Sequence, residues 1–272
     1  MAEEKGQIEG LHPVLEALRA GRPIHKIFLA RENTARLGTA LAAARAAKVP
    51  VVKVARATLD RMATTRNHQG IIALAAPKAY TPLLAILAAA SAGPTPPFLL
   101  ALDGVEDPQN LGALIRTAEA MGVNGVILPE RRAAGLTAAV DRASAGALAH
   151  MPVARVTNLA RTLRELKEYD YLIVGADPAA EAWEIPPIHR AMVLVLGGEG
   201  TGLRRLVKEA CDVLVAIPMY GQINSLNVSA AGAILLYALA KGRKAPTTPS
   251  VTGELPATRK PAWLDDGRIP SV

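Results

Sequence analysis

Three short segments of the chain carry the residue types that could do chemistry. They are DPQNLGALIR (107–116), LGGEGTGL (196–203) and IPMYGQINSLNVS (217–229). Each follows an apolar, strand-like run and leads into a helical pattern. In an open α/β sheet, the loops at the carboxyl ends of the strands converge on one crevice, and ligands bind there. These segments, rich in Gly, Asn and Ser, therefore predict a site built from backbone groups and small polar side chains.

The segment GGEGTG (197–202) invites comparison with a dinucleotide-binding loop, but its spacing does not fit. In the series Gly198, Gly200 and Gly202, the third glycine comes one residue too early for G-x-G-x-x-G. The glycines allow a ligand to approach the backbone closely, whereas a tight turn without a ligand is the alternative. Glu199 favours the ligand site, because a lone carboxylate among glycines has little structural role.

The other two segments combine possible helix caps with polar side chains that capping does not explain. Asp107 or Asn110 can cap the helix that follows. Arg116 lies off the apolar stripe of that helix, so it is either solvated or placed to bind an anion. Ser225 can cap the last helix, which would leave Asn227 in its first turn, facing the crevice.

The composition argues against several classes of protein. The apolar stretches of the 272 residues are far shorter than the roughly 20 residues that a membrane-spanning helix needs. The acidic N-terminus is unlike a secretion signal, and the single cysteine, Cys211, is unable to form an intrachain disulfide. The His, Cys and carboxylate residues do not have the spacing of a zinc site. We therefore expect a cytoplasmic protein with no membrane segment and no metal.

The charge is distributed unevenly along the chain. Residues 1–75 hold 12 Lys and Arg against 6 Asp and Glu, a net charge of +6, whereas residues 98–240 hold 12 against 15, a net charge of −3. A basic unit gains affinity for RNA by releasing counterions from the phosphates; a solvated basic surface is the alternative. Because aromatic residues make up 3% of the chain, stacking of bases on an aromatic platform is not expected to be the main means of recognition.

The hydrophobic pattern predicts two α/β units. Short apolar runs alternate with helical patterns over residues 1–76. The alternation restarts at Phe98 with strands apolar enough for a mostly parallel sheet covered on both faces. The predicted organisation is a small N-terminal unit (1–76), a Pro-rich linker (77–97), a larger sheet unit (98–242) and a polar, partly disordered tail (243–272).

The order and the amino-acid sequences of the three segments resemble those of the SpoU branch of the SPOUT superfamily. Its members are the knotted, S-adenosylmethionine-dependent RNA 2′-O-ribose methyltransferases. This resemblance covers about residues 98–240. In the N-terminal unit, EGLHPVLEAL (9–18) and HQGI (68–71) are similar to the ends of the family's RNA substrate-binding domain, which resembles ribosomal protein L30e. The resemblance implies an L30e-like domain followed by a SPOUT α/β domain with a C-terminal trefoil knot. It also implies a homodimer that acts on RNA, above all on a guanosine of 23S rRNA.

The resemblance implies roles for individual residues as well. The catalytic and substrate-contacting set is Arg116, Asn110, Glu199, Ser225 and Asn227. The residues implied to bind S-adenosylmethionine are Leu196, Gly197, Gly198, Ile217 and Leu226. Because an arginine keeps its proton near neutral pH, we expect Arg116 to clamp an RNA phosphate and the developing oxyanion rather than to act as the base.

The N-terminal unit offers a possible RNA contact. His68 lies beside Arg66 in a polar stretch, and we expect this pair to touch RNA; a turn residue is the alternative for the histidine.

Other functions fit parts of the pattern. A tRNA 2′-O-methyltransferase and an rRNA methylase of the antibiotic-resistance type share the same catalytic segments. A non-catalytic RNA-binding protein would need the basic N-terminal unit alone. A small-molecule methyltransferase or an NAD enzyme is disfavoured by the missing dinucleotide loop and by the basic unit.

Overall fold

The computed structural model of the protein describes residues 6–31, 37–64, 68–180, 190–223 and 225–241. Arg66 and the tail 243–272 lie outside these described residues. Within them, the chain forms two sheets, and no helix combines the length and the apolar character needed to cross a membrane.

The N-terminal unit is a four-stranded sheet with the order β1-β4-β2-β3. Its strands are β1 (Gly6–Glu9), β2 (Ile24–Ala30), β3 (Val51–Val54) and β4 (Ile71–Ala75), and its helices are α1 (Leu11–Arg19), α2 (Gly38–Ala46) and α3 (Arg56–Met62). Strand β4 is antiparallel to β1 and β2, while β2 and β3 are parallel. Val14 of α1 and Ala44 of α2 pack with Ile27 and Ile71 on one face, and Leu59 of α3 packs on the other.

The larger unit is a six-stranded parallel sheet with the order β10-β8-β9-β5-β6-β7. Its strands are β5 (Phe98–Asp103), β6 (Gly125–Pro129), β7 (Val153–Val156), β8 (Leu172–Ala176), β9 (Met192–Gly197) and β10 (Val213–Val215). The helices are α4 (Leu83–Ser91), α5 (Pro108–Ala120), α6 (Ala138–Ala143), α7 (Ala147–His150), α8 (Leu159–Glu168), α9 (Arg205–Ala210) and α10 (Val228–Lys241). The expected α/β fold with a mostly parallel sheet is therefore confirmed.

Helices cover both faces of the parallel sheet, and the central strand β5 shows why its sequence is apolar throughout. Leu100 and Leu102 pack in the core that contains α5 and α10, whereas Leu99 and Ala101 point into the core that contains α8 and α9. Successive side chains of a strand point to opposite faces of the sheet. A strand between two helical layers therefore needs apolar residues at every position, odd and even.

Helix α4 falls in the segment expected to be a linker, where the sequence predicts a short apolar helix over residues 83–90, and it packs on the parallel sheet. Ile86 is 2% exposed and shares a core with Leu99 and Leu163. A Cβ at Gly125 would lie 2.4 Å from Ile86 Cγ2, so the glycine allows the close approach of α4. The preceding chain adds to the edge of the sheet, because the backbone N–H of Thr81 donates to the carbonyl of Val153 at 2.8 Å.

The two units pack against each other through α1, α6, α7 and β1. Arg22 forms an ion pair with Asp141 in which both side chains are buried, and its Nη2 also donates to the carbonyl of Ala76 at 3.0 Å. His150 Nε2 donates to Glu16 at 2.8 Å. This hydrogen bond lowers the pKa of the Glu16 carboxyl. The N-terminal unit is thereby held in a defined orientation on the larger one.

The hydrophobic pattern predicts a helix over residues 202–210 and a strand over 213–217, and one end of each differs in the structure. Helix α9 begins at Arg205 rather than at Gly202, because Gly202 takes a left-handed conformation (φ 59°) and pairs with Gly198. Strand β10 ends at Val215, which leaves Ile217 in the following loop. Helices α6 and α7 were not expected; they are short, at 6 and 4 residues, and hydrophobic periodicity is weak over such lengths.

Candidate active site

The site lies where β5 and β9 end side by side. Asp103 and Gly197, the last residues of these strands, are partners in the parallel ladder. The loop after β5 and the glycine-rich loop after β9 therefore leave the sheet next to each other. Helix α10 packs on α5 and β9, since a Cβ at Gly232 would come within 2.3 Å of Leu114 and 2.9 Å of Leu196. This packing brings the start of α10 to the same edge of the sheet.

A hydrogen-bonded network joins one side chain from each of the three segments. Asn110 Nδ2 donates to Glu199 Oε1 at 2.8 Å, and Asn227 Nδ2 donates to the same oxygen at 2.7 Å. Asn227 Nδ2 also lies 3.0 Å from Asn110 Oδ1. A carboxylate accepts hydrogen bonds, so it orients both amides with their nitrogens toward it. Within the described chain, the other oxygen, Oε2, has no protein partner and is available to a ligand.

The local sequence places both asparagines through helix caps. Asp107 caps α5 by accepting the backbone N–H groups of Gln109 and Asn110, so α5 begins at Pro108 and Asn110 lies in its first turn. A proline at this first position loses no hydrogen bond. Of the two residues that could cap this helix, Asp107 is the cap.

The cap of α10 differs from the one that the sequence suggested. Asn227 accepts the N–H of Ser229 at 2.9 Å, and its carbonyl accepts the N–H of Ala231. Asn227 is therefore the cap, and the expectation that Ser225 caps this helix is wrong. The helix begins too late for the side chain of Ser225 to reach its first N–H groups. Ser225 instead contributes to the wall of a cavity.

The glycine-rich loop is held closed by contacts that glycine alone permits. A Cβ at Gly197 would lie 2.1 Å from the carbonyl carbon of Gly202, and one at Gly198 would lie 2.1 Å from the carbonyl oxygen of Gly104. A side chain at Gly197 would force the two ends of the loop apart, and one at Gly198 would push the loop away from the residue that follows β5. These glycines therefore fix the shape of the loop that presents Glu199.

An ion pair that sequence reasoning missed anchors the far end of the same loop. Asp103 Oδ2 accepts the backbone N–H of Arg204 at 2.8 Å, and Oδ1 accepts its Nε at 2.6 Å. The Asp103 side chain has no exposed surface. The signal in the sequence was a carboxylate directly after the apolar run FLLAL (98–102), because a charge at that depth needs a partner.

A cavity of about 450 Å³ opens beside this network. All five residues expected to bind the cofactor line it, namely Leu196, Gly197, Gly198, Ile217 and Leu226. Glu199, Ser225 and Asn227 line it too. Its volume lies within the range of small-molecule sites, and apolar walls with a few polar groups are typical of them.

The cavity also has a carboxylate that sequence reasoning missed. Asp177, just after β8, lines the wall formed with Ala176 and Pro178. A hydrogen bond from Lys208 lowers the pKa of Asp177, outweighing the opposing effect of burial. Asp177 and Glu199 are the charged residues of the described lining. Because Lys208 pairs with Asp177, Glu199 is the carboxylate that can face a positively charged ligand, such as a sulfonium. Among the described residues, no His, Cys, Asp and Glu side chains are grouped as metal ligands.

The structure separates two other expected site residues from this cavity. Arg116 lies on α5, exposed and outside the cavity lining of its own chain. His68 is 2% exposed; its Nε2 bonds to Asp60 at 2.8 Å, and its Nδ1 accepts the N–H of Gly70 at 3.1 Å. Because both ring nitrogens are used and the ring is buried, the expectation that His68 contacts RNA is wrong. The histidine holds its loop in place.

Comparisons with known proteins agree with this geometry. Residues 97–237 match the model of the SpoU rRNA methylase family, and residues 7–81 match the RNA 2′-O ribose methyltransferase substrate-binding domain. A Bacillus subtilis protein named as a TrmH-family tRNA/rRNA methyltransferase, YacO, is 42% identical over 247 residues, which cover 89% of this chain and 98% of that protein. A Mycobacterium bovis protein named as an uncharacterized tRNA/rRNA methyltransferase is 42% identical over 251 residues, which cover 91% of this chain and 78% of that protein.

A solved structure supports the same assignment and its cofactor. The AdoMet-bound rRNA methyltransferase from Sinorhizobium meliloti is similar to this chain with a TM-score of 0.71 and 25% identity, covering 87% of each chain. AdoMet is S-adenosylmethionine, whose sulfonium suits the acidic lining of the cavity. The chain therefore belongs to the SpoU/TrmH family of RNA methyltransferases and is an enzyme whose cofactor is S-adenosylmethionine.

Proposed function

We propose that this enzyme methylates the ribose 2′-oxygen of a guanosine in 23S rRNA. The observation that carries the proposal is the joining of Asn110, Glu199 and Asn227 at the wall of a cavity suited to a sulfonium. The match of residues 7–81 to a 2′-O ribose methyltransferase substrate-binding domain supports the ribose as the acceptor.

Different residues of the chain would bind the cofactor and the substrate. Bound S-adenosylmethionine supplies an electrophilic methyl group. The backbone of Gly197, Ile217 and Leu226 would hold it in the cavity, and Glu199 Oε2 can accept a hydrogen bond from the substrate beside it. Alignment of the reacting atoms can lower the barrier by several kcal/mol. Arg116 would bind the phosphate next to the acceptor ribose and stabilise negative charge on its oxygen.

Ribosomal RNA is favoured over tRNA by the two-unit arrangement. The Sinorhizobium meliloti protein named as an rRNA methyltransferase matches both units of this chain, since 87% of each chain is covered. The basic N-terminal unit, with a net charge of +6 over residues 1–75, would hold the RNA while the larger unit acts on it. The same proposal places the enzyme in the cytoplasm, with the rRNA that it modifies.

Mapping of ribose methylation in total RNA tests this function. Cells that lack the protein should lose methylation at one 23S guanosine, and the wild-type protein should restore it. A Glu199→Ala variant should not restore it, whereas Glu209→Ala, which removes an exposed carboxylate on α9, should. A change at a tRNA position would instead identify a tRNA methyltransferase, and unchanged methylation throughout would refute the proposal.

We also propose that the enzyme is a homodimer, with the C-terminal knot that the family resemblance implies. Large apolar side chains are exposed in the loop that contributes to the cavity wall and on α10, with Tyr220 96% exposed, Ile223 71% and Tyr237 58%. Exposed apolar side chains of this size are typical of an interface when they are contiguous. A second copy seated there could supply the arginine that a single cavity lacks, because Arg116 does not line the cavity of its own chain.

Sedimentation would test the dimer with a matched pair of variants. Tyr237→Glu should shift the protein toward monomers and lower its activity. Val52→Glu places the same charge at a 37% exposed apolar residue of the N-terminal unit and should leave the dimer intact. A monomeric wild-type protein would contradict the proposal.

A further inference from the structure

The basic side chains of the larger unit divide into two groups. Most are engaged within the protein, by carboxylates, by a hydroxyl or by a carbonyl. The exceptions, which have no hydrogen bond or ion pair within the described residues, are Arg116, Arg131, Arg132, Arg164 and Lys241. Arg131 and Arg132 are adjacent, exposed and located in a unit whose net charge is −3 over residues 98–240. Within the described part of the unit, this local pair of arginines has no carboxylate partner and is available for an anionic ligand.

The loop that carries these two arginines is anchored at both ends. The N–H of Glu130 donates to the carbonyl of Val156 at 2.9 Å, and Arg155 Nη2 donates to the carbonyl of Glu130 at 2.7 Å. On the other side, the N–H of Ala134 donates to the carbonyl of Val105 at 3.0 Å. The arginines between these anchors therefore project from a fixed backbone.

Arg132 has a left-handed backbone conformation, with φ of 59°. Among the other described residues that are not glycine, Lys48, Ala145 and Asp170 share this feature just after a helix ends, and Gln69 shares it in the turn before β4. A left-handed residue is common at helix ends. Arg132 is instead inside a longer loop, where a glycine would avoid the steric cost that a side chain brings. An arginine thus occupies a position where backbone sterics favour glycine.

The loop lies between the cavity region and the N-terminal unit. Val105, to which it is bonded, is two residues before Asp107, the cap of the helix that carries Asn110. The loop leads into α6, which packs on β1 of the N-terminal unit. At the end of α6, Arg142 Nη1 donates to Thr64 Oγ1 of that unit at 3.0 Å. An RNA held by both units would therefore pass this loop.

We propose that Arg131 and Arg132 bind two phosphates of the RNA substrate between the N-terminal unit and the cavity. The guanidinium fork suits phosphate oxygens, and a rigid loop lowers the cost of ordering the two side chains. These contacts hold the RNA in register without reading its bases. The inference rests on the proposed function, because it takes RNA as the substrate of the same site.

The test compares two double variants that each remove two positive charges. One is Arg131→Ala/Arg132→Ala. The control is Arg161→Ala/Arg164→Ala on α8, which lies on the opposite face of the sheet and includes an arginine that is also unpaired among the described residues. For each, RNA affinity is measured over a series of salt concentrations, S-adenosylmethionine affinity by calorimetry, and stability by urea unfolding.

We expect the loop variant to bind RNA roughly tenfold more weakly than the wild type. The slope of log affinity against log salt should become shallower by about 1.4, at about 0.7 for each phosphate that an arginine no longer neutralises. Affinity for S-adenosylmethionine and stability should stay unchanged. An Arg131→Lys/Arg132→Lys variant, which retains the charges, should keep most of the salt slope. The control should bind RNA like the wild type.

Equal RNA affinities and salt slopes for the loop variant and the control would overturn the inference. If the loop variant proved unstable, Arg132→Gly would serve in its place, since glycine accepts the left-handed conformation. The activity of the wild-type protein distinguishes this result from failure of the proposed function. If the proposed function were wrong, the wild-type protein itself would show no S-adenosylmethionine-dependent methylation of RNA. Methylation by the wild type together with unchanged RNA binding by the loop variant would refute the phosphate contacts alone.

Discussion

The ion pair between Asp103 and Arg204 allows a sharp prediction, because its two partners differ in burial. The Asp103 side chain has no exposed surface, whereas the Arg204 side chain is 41% exposed. Arg204→Ala leaves a buried carboxylate without its countercharge, and breaking a buried pair in this way costs about 3–5 kcal/mol. The backbone N–H of residue 204 still reaches Asp103, so we expect the free energy of unfolding to fall by about 3 kcal/mol, the lower limit of this range.

Replacing Asp103 instead of Arg204 should lower the free energy of unfolding by a smaller amount. Asp103→Asn removes the charge but keeps an acceptor oxygen, and the guanidinium of Arg204 can turn to water. The loss is then that of a charge-assisted hydrogen bond, about 1.5 kcal/mol. The neighbouring Arg205→Ala serves as the control. Its partner is Glu209, the two side chains are 78% and 50% exposed, and such a pair contributes about 0.5 kcal/mol.

Urea unfolding followed by circular dichroism measures these three losses, and calorimetry measures the affinity for S-adenosylmethionine. The expected order of destabilisation is Arg204→Ala, then Asp103→Asn, then Arg205→Ala. The affinity should fall in the first two, because the loop that presents Glu199 is no longer held to β5. If Asp103→Asn cost as much as Arg204→Ala, the argument from unequal burial would be refuted.

The remaining predictions concern the site itself. Glu199→Gln keeps an acceptor for both asparagines but removes the charge, so methyl transfer should slow about 100-fold with a change in stability of at most about 0.5 kcal/mol; full activity in a single-turnover assay would contradict a role for the charge. Arg116→Lys should retain RNA binding while losing most turnover, and a fully active lysine variant would exclude the bidentate clamp. The hydrogen bond from Lys208 keeps the pKa of Asp177 below its ordinary value of 3.8, so this carboxylate adds stability above that pH and loses it as the pH falls through the lower folded value. The difference in free energy of unfolding between wild type and Asp177→Asn should therefore be constant near neutral pH and shrink in acid. A difference that grew on acidification would contradict a lowered pKa for Asp177.

The local sequence predicts the strands of both sheets, most of the longer helices and the type of site, but not the short helices α6 and α7. Short apolar runs such as FLLAL (98–102) and MVLVL (192–196) are typical of strands buried on both faces, and the polar segments that follow them are then expected at one edge of a parallel sheet. Caps are also local, which is why Asp107 was among the residues considered for the start of α5. The strand pattern and the family resemblance together predict that the residues lining the cavity lie close to one another.

Tertiary structure alone decided which side chains meet. Strand β9 lies next to β5 although three strands separate them along the chain, and this pairing joins Asn110 to Glu199 across 89 residues and Asn227 to Asn110 across 117. The burial of His68 and the partner of Asp103 depend on the same long-range packing. Hydrophobic periodicity reports which face of an element is covered, but it carries no information on which element covers it. Strand order therefore had to come from the folded chain, and with it the contacts that make the site.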